Sequence, residues 1–174
     1  IYSYILSIIF LLSFITDFGL QSLLVREIKI AGSGSSKFFG NALMLQIFQI
    51  LVSGILIAAY SLTFEKNPAV KIPLFYASFA ITLMYLSNPF TAALSSHEKM
   101  HLSGLAVGLA SIFNAISIFI SISFHFTMPQ IILMLGASNI LSALVSGFLC
   151  IKYAVKPDFT LDAGILKKMI AMSI

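Results

Sequence analysis

Five long apolar runs, none carrying Lys, Arg, Asp or Glu at its middle, decide what this chain can fold into. They cover residues 1–16, 38–62, 70–94, 102–124 and 131–153, and residues 165–174 begin another. A helix crosses the hydrocarbon of a bilayer in about 20 residues. Four of the runs reach that length, and the run at residues 1–16 falls slightly short. Barrel strands would alternate polar and apolar residues over about 10 positions, and these runs do neither. Only 9% of the 174 residues are charged, against about 25% in a soluble domain. With 59% apolar residues and a mean hydropathy of +1.04, the expected fold is all-α. It is a polytopic transmembrane helix bundle of about five spans and the start of a sixth.

The charges then set the orientation. Loops at alternate ends of the bundle carry Arg26, Lys29 and Lys37, then Lys99, then Lys152, Lys156, Lys167 and Lys168. The other end carries Lys66 and Lys71 alone, so basic residues divide eight to two. The richer side belongs in the cytoplasm, which places the loops at residues 17–37, 95–101 and 152–168 there. The same bias explains the net charge of +4 without a nucleic-acid partner. The bilayer is the expected partner, in a cell membrane. The lone Cys150 sits in an apolar run, so no disulfide framework is possible, and it reads as a small buried hydrophobe. Aromatic residues such as Tyr60, Phe64, Phe124, Phe126 and Tyr153 gather near span ends, as in an interfacial belt.

The connections are short. Ala31-Gly32-Ser33-Gly34-Ser35-Ser36-Lys37 reads as a flexible joint. It lacks the spacing of a phosphate-binding loop and follows no strand. Glu65-Lys66-Asn67-Pro68 reads as a turn, and Thr127 as a helix cap with Pro129 near the helix start.

The most informative stretch follows the first run. Asp17 ends that run, because a carboxylate is costly in hydrocarbon, and Gly19 lets the backbone turn. Leu20, Leu23, Leu24 and Ile28 then recur at helical spacing among Gln21, Arg26, Glu27 and Lys29. That pattern predicts a short amphipathic helix lying at a membrane surface.

The order of apolar helix, D-F-G-L, short helix and V-R-E resembles the second membrane helix of polysaccharide flippases of the MOP exporter superfamily. The residues that carry it are Asp17, Phe18, Gly19, Leu20, Val25, Arg26 and Glu27. A second echo is Glu98-Lys99-Met100 after Asn88-Pro89-Phe90. Residues 162–173 are similar to the lead into the family's seventh helix. The resemblance implies a transporter that flips a lipid-linked oligosaccharide from the cytoplasmic to the outer leaflet. It implies no covalent chemistry, no catalytic residue, no metal and no cofactor. Residues 1–174 then form part of the N-terminal lobe of a two-lobed carrier, whose partner is the C-terminal lobe of the same chain. The chain opens at Ile1 and closes at Ile174 inside apolar runs, so both ends look cut. Exporters of small cationic drugs or of a lipid-linked peptidoglycan precursor are the related alternatives, and a purely structural membrane scaffold is another.

Within the spans, polar residues share faces. Gln46, Gln49 and Ser53 do so on one, and Ser78, Thr82 and Tyr85 on the next, which runs on to Asn88-Pro89. Ser111, Asn114, Ser117 and Ser121 lie beside Gly104-x-x-x-Gly108, and Ser138, Ser142 and Ser146 mark the last. Such faces let helices approach and hydrogen-bond. The sharper expectation is that Gln46, Gln49, Asn88 and Asn114 line a hydrated cavity for sugar hydroxyls, with Pro89 kinking its helix. Asp17, Arg26 and Glu27 are the expected cytoplasmic gate or headgroup contact, since Arg keeps its charge and suits diphosphate.

His97-Glu98-Lys99-Met100-His101 matches H-E-x-x-H, which on a helix would offer two imidazoles to zinc with Glu98 as base, as in intramembrane metalloproteases. It falls between two spans, carries Lys99 inside it, and has Val107 where a third His would follow. A connecting turn is the better reading.

Overall fold

The computed structural model describes residues 3–5, 7, 8, 11, 20–80 and 82–173. Among them no strand occurs, and the chain is helical nearly throughout. The described residues before Leu20 are helical; the rest of the expected first span lies outside the described residues. Helix α1 is Leu20–Ala31, and a 3-10 turn at Gly32–Gly34 leads into α2, Ser35–Thr63. Helix α3 is Pro68–Ala80, followed by a 3-10 stretch at Thr82–Ser87 and α4, Asn88–Ser96. Helices α5, α6 and α7 are Met100–Ser123, Met128–Tyr153 and Ala163–Ser173.

Four stretches are long and apolar enough to cross a membrane: Ser35–Thr63, Pro68–Ser96, Met100–Ser123 and Met128–Tyr153. Each of these four matches its expected run within a few residues, because each is a long apolar run bounded by turn chemistry. At one such turn the Asn67 Oδ1 accepts from the Ala69 N–H at 3.0 Å. At another the Gln130 Oε1 accepts from the Thr127 N–H at 2.8 Å, the return bond of a capping box.

The joint at residues 31–37 is not the loose linker that its Gly and Ser content suggests. It closes into a 3-10 turn, with Gly32 in the left-handed region at φ 49°. That conformation costs glycine nothing.

The second span is broken at its centre. Proline has no N–H and its ring clashes with the carbonyl four residues back, so Pro89 disfavours regular helix in the turn before it, although α3 accommodates Pro73. The chain answers with the 3-10 stretch and restarts at Asn88. The expected disturbance at Pro89 is thus a change to 3-10 geometry in the turns before it. Helix α6 packs against this break. A β-carbon on Gly136 would stand 2.8 Å from that of Ala80, and the Asn139 Nδ2 donates to the Ala80 carbonyl at 3.4 Å.

Two apolar clusters hold the ends of the bundle. One joins Leu23, Leu24 and Ile28 of α1 to Phe39, Ala93, Cys150 and Met169. The other joins Ile57, Leu74, Ala77 and Ile132, with Ile5. The apolar stripe of α1 is covered by protein: Leu24 and Ile28 are under 3% exposed. An amphipathic stripe does not say whether lipid or protein covers it.

Helix α5 lies at the margin, against α6 and α4, and most of it is exposed. Among the described residues nothing lies within 4 Å of β-carbons built on Gly104 or Gly108, so this pair does not bring described helices together as its spacing suggests. The serines of α6 do: Ser138, Ser142 and Ser146 are buried where α6 meets its neighbours.

Candidate functional site at the charged end of the bundle

Helix α1 places Glu27 one turn from Leu23 and Leu24 and beside Ile28, so its carboxylate is carried into the bundle with that apolar face. Its side chain is 6% exposed. An unpaired carboxylate there would be strongly destabilising. Two cations meet it instead. The Arg26 Nη2 donates to Oε1 at 3.1 Å, and the Lys168 Nζ of α7 donates to Oε2. The Lys168 ammonium, aided by Arg26, holds the Glu27 carboxyl below its ordinary range despite the upward pull of burial. The cations themselves stay half in water, with side chains 62% exposed at Arg26 and 48% at Lys168.

Two residues on, Lys29 Nζ donates to the exposed Glu98 carboxylate at 3.4 Å. Helix α1 is therefore bracketed, by α7 through Glu27 and by the α4–α5 turn through Lys29. The three charged stretches singled out in the sequence meet at one end of the fold. Asp17, expected in the same cluster, lies outside the described residues.

The lead into α7 is fixed from below. The backbone N–H of Asp158 donates to the Ser36 carbonyl at 3.0 Å. Asn41, fully buried, donates to the Thr160 carbonyl at 2.9 Å and accepts from the Asp162 N–H at 3.0 Å. Asp162 in turn caps α7 through the Gly164 N–H at 2.8 Å. Sequence reading missed both Asn41 and Lys168 as positioned groups. The signal for Lys168 was Glu27 itself, an acid on the buried face of a helix that demands a cation.

The polar residues of the spans divide. Gln46 is buried on α2. One turn along, the Gln49 Oε1 and the Ser53 Oγ are buried with no hydrogen-bond partner among the described residues. Asn88 opens α4 at the break, its carbonyl accepting from Thr91 Oγ1 at 3.0 Å. Asn114 is drawn elsewhere: its Oδ1 accepts from Ser138 Oγ, joining α5 to α6. A groove of about 370 Å³ runs past Leu43, Ile47, Phe90, Ile140 and Phe148 and is apolar, and two smaller ones lie along α3, α5 and α6. None of Gln46, Gln49, Asn88 or Asn114 lines these grooves.

The H-E-x-x-H residues do not share a helix. His97 caps the C-terminus of α4, Glu98 turns left-handed at φ 60°, and α5 starts at Met100. The one-face geometry that a zinc pair needs is lost at Glu98. Among the described residues no group of three His, Cys, Asp or Glu side chains is placed to hold a metal.

The chain thus combines a charge-free span region, a helix interrupted before Asn88-Pro89, and charged motifs gathered at one end. The model of one family, described as polysaccharide biosynthesis protein, matches residues 1–174. The chain belongs to that family. No curated protein and no solved structure matches it. The members of the polysaccharide biosynthesis protein family are generally transporters. The apolar spans of this member make it a multi-pass membrane protein, and lipid bilayer is its surroundings. The V-R-E, E-K-M and α7 residues that first suggested a polysaccharide flippase of the MOP superfamily lie within the matched range.

Proposed function

We propose that this protein flips a lipid-linked oligosaccharide, a polysaccharide repeat unit, from the cytoplasmic to the outer leaflet. The observation that carries the reading is the meeting of Arg26, Glu27 and Lys168 at one end of spans that hold no charge at their middles. A lipid carrier keeps its chain in hydrocarbon and needs only its anionic headgroup and its glycan handled. Cations at the mouth meet the headgroup, and a broken span offers backbone carbonyls and polar side chains to a glycan.

In this reading the charged end is cytoplasmic, by the eight-to-two division of basic residues. Arg26 and Glu27, with Asp17, form the gate. Gln46, Gln49, Asn88 and Asn114 meet the glycan as two lobes rock, this chain supplying the N-terminal one. Gln49 Oε1 and Ser53 Oγ support it, since buried polar atoms without partners suit a path that water or hydroxyls enter. The work is binding and motion, with no covalent step and so no enzyme.

Complementation of an exporter-deficient host tests this. Wild type restores surface polysaccharide, Arg26→Lys restores it in part, and Arg26→Ala fails at equal membrane abundance. Equal restoration by all three would remove the gate, and no restoration by wild type would remove the glycan reading.

A further inference from the structure

The Glu27 site has an asymmetry that pairing alone does not require. Its acceptor is buried while its two donors, one on α1 and one on α7, stand half in water. An anion arriving from water or from a headgroup therefore meets Arg26 and Lys168 before it meets the carboxylate that would repel it.

We propose that Glu27 is a resident anion that a phosphate or diphosphate group displaces from Lys168, releasing α7 from α1. This rests on the lipid-linked glycan reading given above. Carboxylate and phosphate oxygens are acceptors of the same kind for guanidinium and ammonium donors, and the phosphate carries more charge and more oxygens. The exchange is thus between like partners, with the incoming one favoured. Stripping a buried carboxylate of its cations is costly unless water replaces them. Exchange and withdrawal of α7 are therefore one event.

The start of α7 does not leave with the rest. Asp162 stays bonded to Asn41, and the close approach of Asp158 to Gly40 keeps the preceding loop on α2. What the exchange frees is the turn bearing Lys168, and with it Met169, which is buried in the α1 cluster. Substrate charge at the mouth thereby becomes movement of one helix about a fixed first turn.

The test places spin labels at Gln21 and Lys167, both exposed, in a Cys150→Ser background in lipid nanodiscs. One arm titrates inorganic pyrophosphate, and the other incorporates a polyprenyl diphosphate in the bilayer. The expected result is a lengthening of the α1–α7 distance in the second arm or in both, the difference telling a headgroup site from one open to the free ion. Glu27→Gln, which removes the competing carboxylate, is expected to bind pyrophosphate roughly tenfold tighter, and Lys168→Gln roughly tenfold weaker. No lengthening in either arm overturns the proposal. So does equal pyrophosphate affinity in wild type and Glu27→Gln. If Glu27→Gln does not accumulate, the wild-type distances and Lys168→Arg, which keeps the cation and the response, decide. A distance response that holds while wild type fails to restore surface polysaccharide would count against the transport reading and leave the exchange standing.

Discussion

A β-carbon added to Gly40 would stand 1.9 Å from the carbonyl oxygen of Asp158. The loop between α6 and α7 thus lies directly on α2, at a point where only glycine lets the two backbones meet. One residue on, Asn41 bonds to that same loop on both sides, at Thr160 and Asp162. Together they fix where α7 starts, and so where Lys168 stands.

Gly40→Ala is expected to destabilise the protein by about 1–3 kcal/mol, the usual cost of forcing atoms into a filled space. Asn41→Ala should cost a similar amount, about 1–3 kcal/mol, by leaving the Asp162 N–H and Thr160 carbonyl without their partner. Thermal unfolding in nanodiscs measures both. Melting points equal to wild type for both variants would contradict the contact.

Two glycine sites separate true close packing from mere spacing. Gly136 faces the Ala80 β-carbon at 2.8 Å, whereas Gly104 and Gly108 face nothing within 4 Å. Gly136→Val should lower stability by about 1–3 kcal/mol, and Gly104→Ala with Gly108→Ala should leave it unchanged or raised, since Ala is the better helix former. The reverse order would mean that α5 packs where the structure leaves it open.

This contrast marks how much of the molecule is legible in the chain. The spans are, because unbroken hydrocarbon of membrane length has one stable form in lipid. The break is legible only in part: Pro89 disfavours a regular helix before it, but Pro73 sits inside α3 without ending it. Packing partners are not: Gly104-x-x-x-Gly108 has the spacing of an interface and meets no helix among the described residues, while Gly40 has no pattern around it and meets a loop over 100 residues later. At the charged end, Arg26 and Glu27 were readable as a cluster. That Glu27 is buried, and that Lys168 is its partner, depends on where α7 docks.

The Glu27 pair has a definite dependence on pH. Its carboxyl has an ordinary value of 4.5 and is held lower in the folded protein by Lys168 and then Arg26. The folded form binds its proton more weakly than the unfolded one. Its contribution to stability is therefore fully present above about pH 4.5 and is lost as pH falls through the lowered folded value. The melting-point gap between wild type and Glu27→Gln should be constant from about pH 7 to 5 and narrow below that. A gap that widens on acidification would contradict the pairing.

For the H-E-x-x-H residues, the left-handed Glu98 predicts no tight zinc site. Wild type and a His97→Ala, His101→Ala variant should retain zinc equally poorly after dialysis. Stoichiometric zinc in wild type alone, with a proteolytic activity lost in Glu98→Ala, would contradict this.

Transport itself is measured most directly in vesicles that contain the purified protein and a labelled lipid-linked oligosaccharide in one leaflet. The account predicts protein-dependent appearance of the glycan in the other leaflet, slowed roughly tenfold or more by Arg26→Ala and less by Arg26→Lys, which keeps the charge and loses the planar fork. Glycan that stays in its leaflet at the rate of protein-free vesicles would contradict it.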